Sequence, residues 1–348
     1  MARIPSPRMP SPRVLVEVLR SGNLRARLRA ARDGQAALRL QLIAAALDLG
    51  LLDALAGGAT STAALADRLG ATEQDLVAAY LRVLAAAGLV AGEGSWELTG
   101  AGRAVVDDDQ VRATYEGFGG YQTDLYRELR PLLSGDLRRR DVEEHAELIA
   151  RLSAALEPLL HDLLTRTVRQ RRPRRVLDIG CGAGLHLAAM LEAAADATGV
   201  GVDVDPDAAA LARRTLRERG LAARADVEAL DIREALAAGR PAALTDGIDL
   251  ALLANVIYYV PVDERVELLR AIGRVLAPGG ALLVVTTVAE PKLFSRHLDL
   301  LLRAQEPRME LPAVDVLLGQ LREAGWQPAA PERIGPAGAA LIAVTAIR

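Results

Sequence analysis

The sequence predicts an α/β protein in which an open, ligand-binding sheet follows a helical N-terminal domain. Residues 175–179 are mainly apolar, with valine and isoleucine among them, and they run into a turn with glycine at alternate positions before a helix begins near residue 185. A second apolar segment, residues 199–203, ends in a carboxylate. Ligands of open α/β sheets bind where the strands end. These segments therefore place a ligand site after residue 179.

The turn carries glycine at positions 180, 182 and 184, and Asp178 stands two residues before the first of them. Glycines at such a junction let backbone N–H groups approach a ligand without an intervening Cβ. A dinucleotide fingerprint, G-x-G-x-x-G, would need its third glycine at position 185, which is leucine. The observed pattern, D-x-G-x-G-x-G, instead resembles motif I of the class I S-adenosylmethionine (SAM)-dependent methyltransferases.

The segments downstream extend that resemblance over roughly residues 145–348. Asp203 ends the second predicted strand, where a carboxylate can accept both ribose hydroxyls, and Asp205 is placed to cap the following helix. The resemblance implies that Asp231, after a third strand at 225–230, contacts the adenine amino group and that Ile232 covers the ring. The predicted cofactor-binding residues are Asp178, Gly180, Gly182, Gly184, Asp203, Asp231, Ile232 and Asn255.

The resemblance implies a seven-stranded Rossmann-like sheet. The fourth strand is predicted at 248–256, the following helix at 263–276, and the fifth strand at 281–288 after an A-P-G-G turn. The last two strands, at about 327–333 and 338–347, are expected to form the antiparallel hairpin that distinguishes this fold from dinucleotide-binding sheets. The domain at 171–348 is therefore expected to bind SAM.

The N-terminal segment predicts a winged-helix-like domain at 13–105, preceded by a disordered tail at 1–12. Helices are predicted at 35–58 and 72–87, with a short helix between them and a hairpin after them. The second of these helices is apolar and slightly acidic, whereas a DNA-reading helix presents basic and amide groups. The domain resembles the dimerisation domain of small-molecule O-methyltransferases. We therefore expect a homodimer that does not bind nucleic acid.

Composition supports a globular enzyme. The 348 residues carry a net charge of −3, which gives no overall electrostatic reason to expect nucleic acid or an anionic membrane as partner. Cys181 is the single cysteine, so no internal disulfide can form, which fits a reducing compartment. No apolar run reaches the length of a membrane span, and the N-terminus lacks the apolar core of a signal peptide. The expected location is cytoplasmic.

Aromatic residues are scarce and clustered. Four of the ten lie in a predicted helical connector at 106–170, and two more follow the fourth strand. Each could be ordinary core packing, but clustering in segments expected to face the methyl donor favours a substrate pocket. The candidate pocket residues are Tyr115, Phe118, Tyr121 and Tyr126, with Tyr258 and Tyr259 after the strand.

A general base is not evident. Related plant-type O-methyltransferases carry histidine in an L-H-x-W-x-D motif after the fourth strand, and here Tyr258 or Tyr259 takes its place. Tyrosine, with an ordinary pKa near 10, is a poor base at neutral pH. The acceptor could ionise easily, a histidine (His145, His161 or His297) could act as base, or methyl transfer could have been lost. Of the candidate catalytic residues, we retain Tyr258, Tyr259, His161 and His297.

The fourth histidine, His186, follows the glycine turn on the helix near the methionine end of the cofactor. No close ligand pair such as H-x-x-x-H occurs, so no metal is expected. The predicted function is SAM-dependent methyl transfer to a small natural-product acceptor, with O-methylation favoured over C- or N-methylation. The alternatives are a DNA-binding regulator that senses SAM and a SAM-binding enzyme with another chemistry.

Overall fold

A computed structural model describes residues 11, 13, 20, 22–237, 247–335 and 340–348. The predicted tail at 1–12 therefore lies outside the described residues, apart from residue 11. The chain forms two compact units. The first comprises residues 1–126 and 147–152, and the second comprises residues 127–146 and 153–348.

The first unit contains helices and a small antiparallel sheet. Its helices are α1 (Leu24–Asp48), α2 (Leu51–Ala56), α3 (Thr62–Leu69), α4 (Gln74–Ala86), α5 (Gly100–Asp107) and α6 (Asp109–Gly119). Its strands are β1 (Thr60–Ser61), β2 (Val90–Gly92) and β3 (Ser95–Leu98), paired in the order β1-β3-β2. The helix predicted at 35–58 is two helices, because Gly50 adopts a left-handed φ of 67° that ends the first one.

Local chemistry explains how this unit is arranged. The Ser61 hydroxyl accepts a hydrogen bond from the Ala64 N–H and caps α3. The indole N–H of Trp96 donates to the Thr62 hydroxyl at 2.9 Å, which ties β3 to α3. The core is aliphatic, with fully buried leucines contributed by α2, α3 and α4. The predicted order of helix, helix and hairpin is present in the chain.

The connector, predicted to be helical, consists of several short helices. After α6 it contains α7 (Tyr121–Arg127), α8 (Leu129–Ser134), α9 (Asp141–Glu144), α10 (Ala146–Ser153), a short 3-10 turn (Ala154–Leu156) and α11 (Glu157–Arg171). Gly120 lies outside the helical region, and Gly135 is left-handed at the end of α8, so these glycines break the helical pattern.

The second unit is built on one mixed sheet. Its strands are β4 (Arg175–Ile179), β5 (Thr198–Asp203), β6 (Ala225–Ala229), β7 (Ile248–Ala254), β8 (Leu276–Thr287), β9 (Gln327–Pro328), β10 (Glu332–Arg333) and β11 (Leu341–Ile347). The order is β10-β11-β8-β7-β4-β5-β6, and β9 also pairs with β11. Strands β4 to β8 are parallel, and β11 is antiparallel to β8. The predicted strand at 327–333 is two short segments, β9 and β10, while residues 338 and 339 lie outside the described residues.

Helices cover both faces of this sheet. They are α12 (Leu185–Ala193), α13 (Pro206–Glu218), α14 (Ile232–Ala237), α15 (Arg265–Val275), α16 (Leu293–Arg303) and α17 (Val314–Glu323), with a 3-10 turn at Ile257–Tyr259. Side chains alternate along β4 as a strand requires. Val176 joins the core formed with α11, α12 and α13, whereas Leu177 and Ile179 join the core formed with α15 and α17.

Candidate functional site

Polar residues collect at the carboxyl edge of four adjacent parallel strands. Asp178 lies in β4, Asp203 ends β5, Asp231 follows β6 and Asn255 follows β7. Because the order is β6-β5-β4-β7, all four lie at the same edge of the sheet. This is where ligands of such sheets bind, so the sequence prediction and the topology indicate one site.

The glycine turn is hydrogen-bonded to the end of β5. The backbone N–H groups of Gly180 and Cys181 donate to the Val202 carbonyl at 2.8 and 3.0 Å. Gly182 N–H donates to Asp203 Oδ2 at 2.8 Å. Glycines 180, 182 and 184 all have left-handed φ values, between 50° and 76°. The turn therefore needs residues without a Cβ strain penalty.

The third glycine also allows two helices to approach. A Cβ on Gly184 would lie 2.9 Å from the Cβ of Ala212 on α13, closer than two carbon atoms normally pack. A Cβ on Gly182, by contrast, would meet no atom within 4 Å. Gly184 thus has a packing role, while Gly182 borders open space beside the carboxylate of Asp203.

Asp203 organises the end of β5. Its Oδ1 accepts a hydrogen bond from the Asp205 N–H at 3.0 Å, in addition to the bond from Gly182. The Asp205 carboxylate accepts from the Asp207 N–H at 2.9 Å and caps α13, with Pro206 at the first helical position. A carboxylate has about four acceptor positions, so Asp203 keeps capacity for ligand hydroxyls.

Asp178 is fully buried, and neither of its carboxylate oxygens has a hydrogen-bond partner of normal geometry among the described residues. Burial raises the pKa of Asp178 to about 6, opposed by the imidazole of His186 and by the Leu187 N–H. His186 Nε2 lies 3.2 Å from Glu157 Oε1. A buried acid without a firm partner is unusual, and it fits a site completed by a cationic ligand.

Asn255 lies at the opposite side of the turn. It adopts a left-handed φ of 56°, and its backbone N–H donates to the Val285 carbonyl at 2.7 Å. Its side-chain Oδ1 is buried without a hydrogen-bond partner among the described residues. Asparagine tolerates this conformation better than most residues do. After β6, at the far edge of the sheet, Ile232 is almost fully buried, and Asp231 before it is partly exposed.

The tyrosine pair after β7 is partly buried and packs against an apolar cluster. The rings of Tyr258 and Tyr259 lie 4.6 Å apart between centroids, and their hydroxyls are hydrogen-bonded to each other. They pack with Leu302, Met309 and Leu311. Burial raises the pKa of both phenols, so both stay protonated at neutral pH.

Arg265, which the sequence reasoning missed, holds the segment that carries these tyrosines. Its side chain is buried, and it donates to the Val260 carbonyl at 3.0 Å and to the Glu310 carbonyl at 2.7 Å. Burial lowers the pKa of Arg265. The sequence signal was a charged residue at a helix position otherwise filled by apolar side chains.

The predicted histidines occupy different surroundings. His161 is exposed on α11. His297 lies half-buried on α16, next to Leu298, which packs in the tyrosine cluster. Burial lowers the pKa of His297, which leaves its imidazole neutral at neutral pH. Burial raises the pKa of the Cys181 thiol, so this cysteine is a packing residue.

The connector aromatics all belong to the first unit, whereas Tyr258 and Tyr259 belong to the second. Tyr115 packs against the core of the first unit, and Tyr121 is 7% exposed. Phe118 is half-buried, while Tyr126 is 49% exposed. Within the described residues, no cluster of three histidine, cysteine or acidic side chains could hold a metal ion. The described helices also include none long and apolar enough to cross a membrane.

Comparison with known proteins identifies the second unit. A family model described as a methyltransferase domain matches residues 176–280. A search among curated protein sequences found no match. Among solved structures, the mitomycin 7-O-methyltransferase is 21% identical with a TM-score of 0.75, covering 94% of this chain and 99% of that one.

Two further structures extend the comparison. The N,N-8-amino-8-demethyl-D-riboflavin dimethyltransferase from Streptomyces davawensis is 26% identical with a TM-score of 0.70, covering 93% of this chain and 99% of that one. The O-methyltransferase NcsB1 from neocarzinostatin biosynthesis was solved with S-adenosylhomocysteine and 1,4-dihydroxy-2-naphthoic acid. It is 24% identical with a TM-score of 0.62, covering 88% of this chain and 95% of that one. With its alternating glycine turn and acidic strand ends, the second unit contains a SAM-dependent methyltransferase domain, and the chain has the fold of the small-molecule O-methyltransferases.

Proposed function

We propose that this enzyme methylates a hydroxyl group of a small, partly apolar natural-product acceptor. The observation that carries the methyl-donor side is the carboxyl edge of the sheet, where Asp178 and Asp203 flank a turn of left-handed glycines. Support for the acceptor class comes from the mitomycin 7-O-methyltransferase and from NcsB1 with its bound dihydroxynaphthoic acid.

On the donor side, each residue has a proposed role. Asp203 accepts the ribose hydroxyls, Asp231 accepts from the adenine amino group, and Ile232 covers the ring. Asp178 and Asn255, with their unpartnered buried oxygens, lie beside the turn. SAM supplies a methyl group already activated by its sulfonium, so the main task of these side chains is to bind and orient.

On the acceptor side, the tyrosine pair and its apolar cluster suit an aromatic or otherwise flat acceptor. Protonated phenols can donate hydrogen bonds and provide apolar walls. They are not bases at neutral pH, since burial raises the pKa of both. Of the candidate histidines, His297 fits a general base best, because burial lowers its pKa and its neutral imidazole can accept a proton.

N-methylation is the second candidate function. The Streptomyces davawensis structure, at 26% identity, is by its name an amine dimethyltransferase. An amine acceptor needs no strong base, which agrees with tyrosine at the usual histidine position. A regulator that reads DNA is not supported, because α4 presents acidic and apolar side chains, among them Asp75 and the 69% exposed Leu76.

A homodimer through the first unit completes the proposal. An open apolar groove of about 600 Å³ is lined by residues of the α1–α2 junction, the end of α3 and the start of α4. Leu49 and Leu76 line it and are 54% and 69% exposed. Apolar surface of this kind marks interfaces. We expect the enzyme to act in the cytoplasm.

The proposal is tested by incubating the protein with SAM and paired acceptors that differ in one atom. 1,4-Dihydroxy-2-naphthoic acid and the analogue in which an amino group replaces one of its hydroxyl groups form such a pair. Mass spectrometry should show a methyl ether from the first and more product from it than from the second. Methylation of the amine alone would replace O-methylation by the second candidate.

A further inference from the structure

A buried histidine interacts electrostatically with two carboxylates next to the glycine turn. His186 is the second residue of α12, and its side chain is only 16% exposed. Its Nε2 lies 3.2 Å from Oε1 of Glu157, the first residue of α11. The two groups are within ion-pair distance, although Nε2 has no well-aligned hydrogen-bond partner among the described residues. A nearby carboxylate favours the charged imidazole, and the pKa of His186 is raised in spite of burial, because Glu157 and Asp178 both attract the proton.

The second carboxylate is that of Asp178. Alternation along β4 puts Asp178 on the face of Val176, which is the face covered by α11 and α12. The carboxylate is fully buried, lacks a hydrogen-bond partner of normal geometry, and interacts electrostatically with His186. An uncompensated buried charge is costly. The imidazolium of His186 is thus the countercharge that this carboxylate faces.

The other charged groups around His186 are less well placed to neutralise the Asp178 carboxylate. His186 and Glu157 line a small cavity of about 180 Å³ together with His161 and Arg219. His161 is exposed on α11, and Arg219 pairs with Glu192 at 3.2 Å while 40% exposed. From β5, Asp203 acts on Asp178 with the same sign of charge and disfavours its ionisation. None of these groups substitutes for His186 as a buried cation next to Asp178.

We propose that His186 is a positioning residue of the cofactor site, which keeps the Asp178 carboxylate ionised and fixed beneath the turn so that it can receive the ammonium group of SAM. Glu157 anchors the imidazolium from the other side. The inference rests on the proposed assignment of Asp178 to the SAM site. Glu157, His186 and Asp178 thus form a relay of alternating charges, in which only Asp178 contacts the cofactor.

The relay predicts how SAM affinity depends on pH. In the wild type, affinity should fall as the pH drops through about 6, where Asp178 takes up a proton. In His186→Gln the countercharge is lost, so Asp178 takes up its proton at higher pH. A rise of one unit in the Asp178 pKa would lower the ionised fraction about twofold at pH 7 and about fivefold at pH 6, so affinity should fall by these factors and the midpoint of the pH profile should move upward.

The experiment is calorimetric titration of the full-length protein with SAM across this pH range. The variants are His186→Gln, Glu157→Gln and the matched control Arg219→Gln, which removes a charge from the same cavity. We expect the first two to weaken binding and the control to bind as the wild type does. An unchanged midpoint in His186→Gln would overturn the relay.

Two additional measurements distinguish an error in the assignment of Asp178 from an error in the relay. If Asp178→Asn binds SAM with unchanged affinity and pH dependence, the assignment of Asp178 to the cofactor site is wrong. If Asp178→Asn binds weakly while His186→Gln is normal, the relay alone is wrong. If His186→Gln fails to fold, an NMR titration of the histidines in the wild type tests the relay. The pKa of His186 must then lie above the ordinary value of 6.5, and it must be lower in Glu157→Gln than in the wild type.

Discussion

At the residue scale, Asp203 has two tasks that can be separated. Its carboxylate accepts the N–H groups of Gly182 and Asp205, and it is proposed to accept the ribose hydroxyls as well. Asp203→Ala should therefore weaken SAM binding by about 100-fold, or about 3 kcal/mol, as expected for hydrogen bonds to a charged group. Calorimetry measures this directly.

The control for that variant is Asp205→Ala. Asp205 caps α13 but is not proposed to touch SAM, so its loss should cost stability of about 1 kcal/mol and leave SAM affinity near the wild-type value. Equal affinity for SAM in Asp203→Ala and the wild type would refute the ribose assignment.

The buried carboxylate of Asp178 should reduce the stability of the free enzyme. Its folded-state pKa of about 6 lies above the ordinary value of 3.8, so keeping it ionised costs the folded state free energy above about pH 6. The cost falls as the pH drops through about 6 and vanishes only below the ordinary value of 3.8, where the group is protonated in both states. Asp178→Asn should thus unfold at a higher temperature than the wild type at pH 8.

The size of that effect follows from the same shift. A difference of about two pKa units corresponds to about 3 kcal/mol as an upper bound. Thermal melts without SAM should show a gap between Asp178→Asn and the wild type that closes between about pH 8 and about pH 4. A gap that is constant with pH, or of the opposite sign at pH 8, would contradict the burial of an ionised carboxylate.

His297 sets the expected pH dependence of turnover. Because burial lowers its pKa, the rising limb of the pH–rate profile should lie below the ordinary histidine value of 6.5. His297→Gln should lose that limb and slow turnover about 100-fold or more if the acceptor is a hydroxyl. Tyr258→Phe should keep the limb, since its phenol is protonated throughout. Retention of the limb in His297→Gln would remove His297 as the base.

At the scale of elements, the glycine turn makes a prediction about α12 and α13. Gly184→Ala adds a Cβ 2.9 Å from that of Ala212 at a left-handed φ, so it should destabilise the fold by about 2–4 kcal/mol. Gly182→Ala meets open space and should cost only about 1–2 kcal/mol, yet weaken SAM binding. Denaturant unfolding and calorimetry give both quantities.

A matched control isolates the stability cost of placing alanine at a left-handed φ. Gly220, after α13, has a φ of 71° and open space around its Cβ position, but it lies away from the carboxyl edge. Gly220→Ala should therefore lose about as much stability as Gly182→Ala while binding SAM normally. If the two variants bind SAM equally well, the turn does not face the cofactor.

The same elements show what a sequence can predict. β4 begins and ends where the sequence predicted it, because an apolar β-branched run next to glycine leaves little choice. The predicted cap at Asp205 is also confirmed, since capping depends on local side chains. The connector was predicted less well, because its helix breaks depend on tertiary packing.

Contacts between distant elements explain the rest. The Glu157–His186 pair joins residues 29 positions apart, and nothing in the spacing predicts it. The burial of Arg265 depends on the carbonyl of Glu310, far along the chain. The roles of the site residues from Asp178 to Asn255, and of the aromatic pocket residues, stay predictions until variants are measured.

At the scale of the whole molecule, the exposed apolar groove of the first unit predicts a homodimer. Light scattering should give about twice the chain mass of 36.9 kDa. A double variant, Leu49→Glu and Leu76→Glu, should be monomeric, because it places charge in an apolar interface. Leu293→Glu is the matched control, since Leu293 is 87% exposed in the second unit, and it should remain dimeric. A wild-type monomer would refute the dimer.

The central claim is that the enzyme transfers the methyl group of SAM to a small hydroxylated acceptor. Its most direct test is to follow S-adenosylhomocysteine and methylated acceptor together, with SAM and a panel of phenols and hydroxynaphthoic acids as substrates. The account predicts that both products form in equal amounts with at least one hydroxyl acceptor, and that both form much more slowly with Asp203→Ala at a SAM concentration that limits binding. Tight binding of SAM with no S-adenosylhomocysteine formed from any acceptor would contradict it.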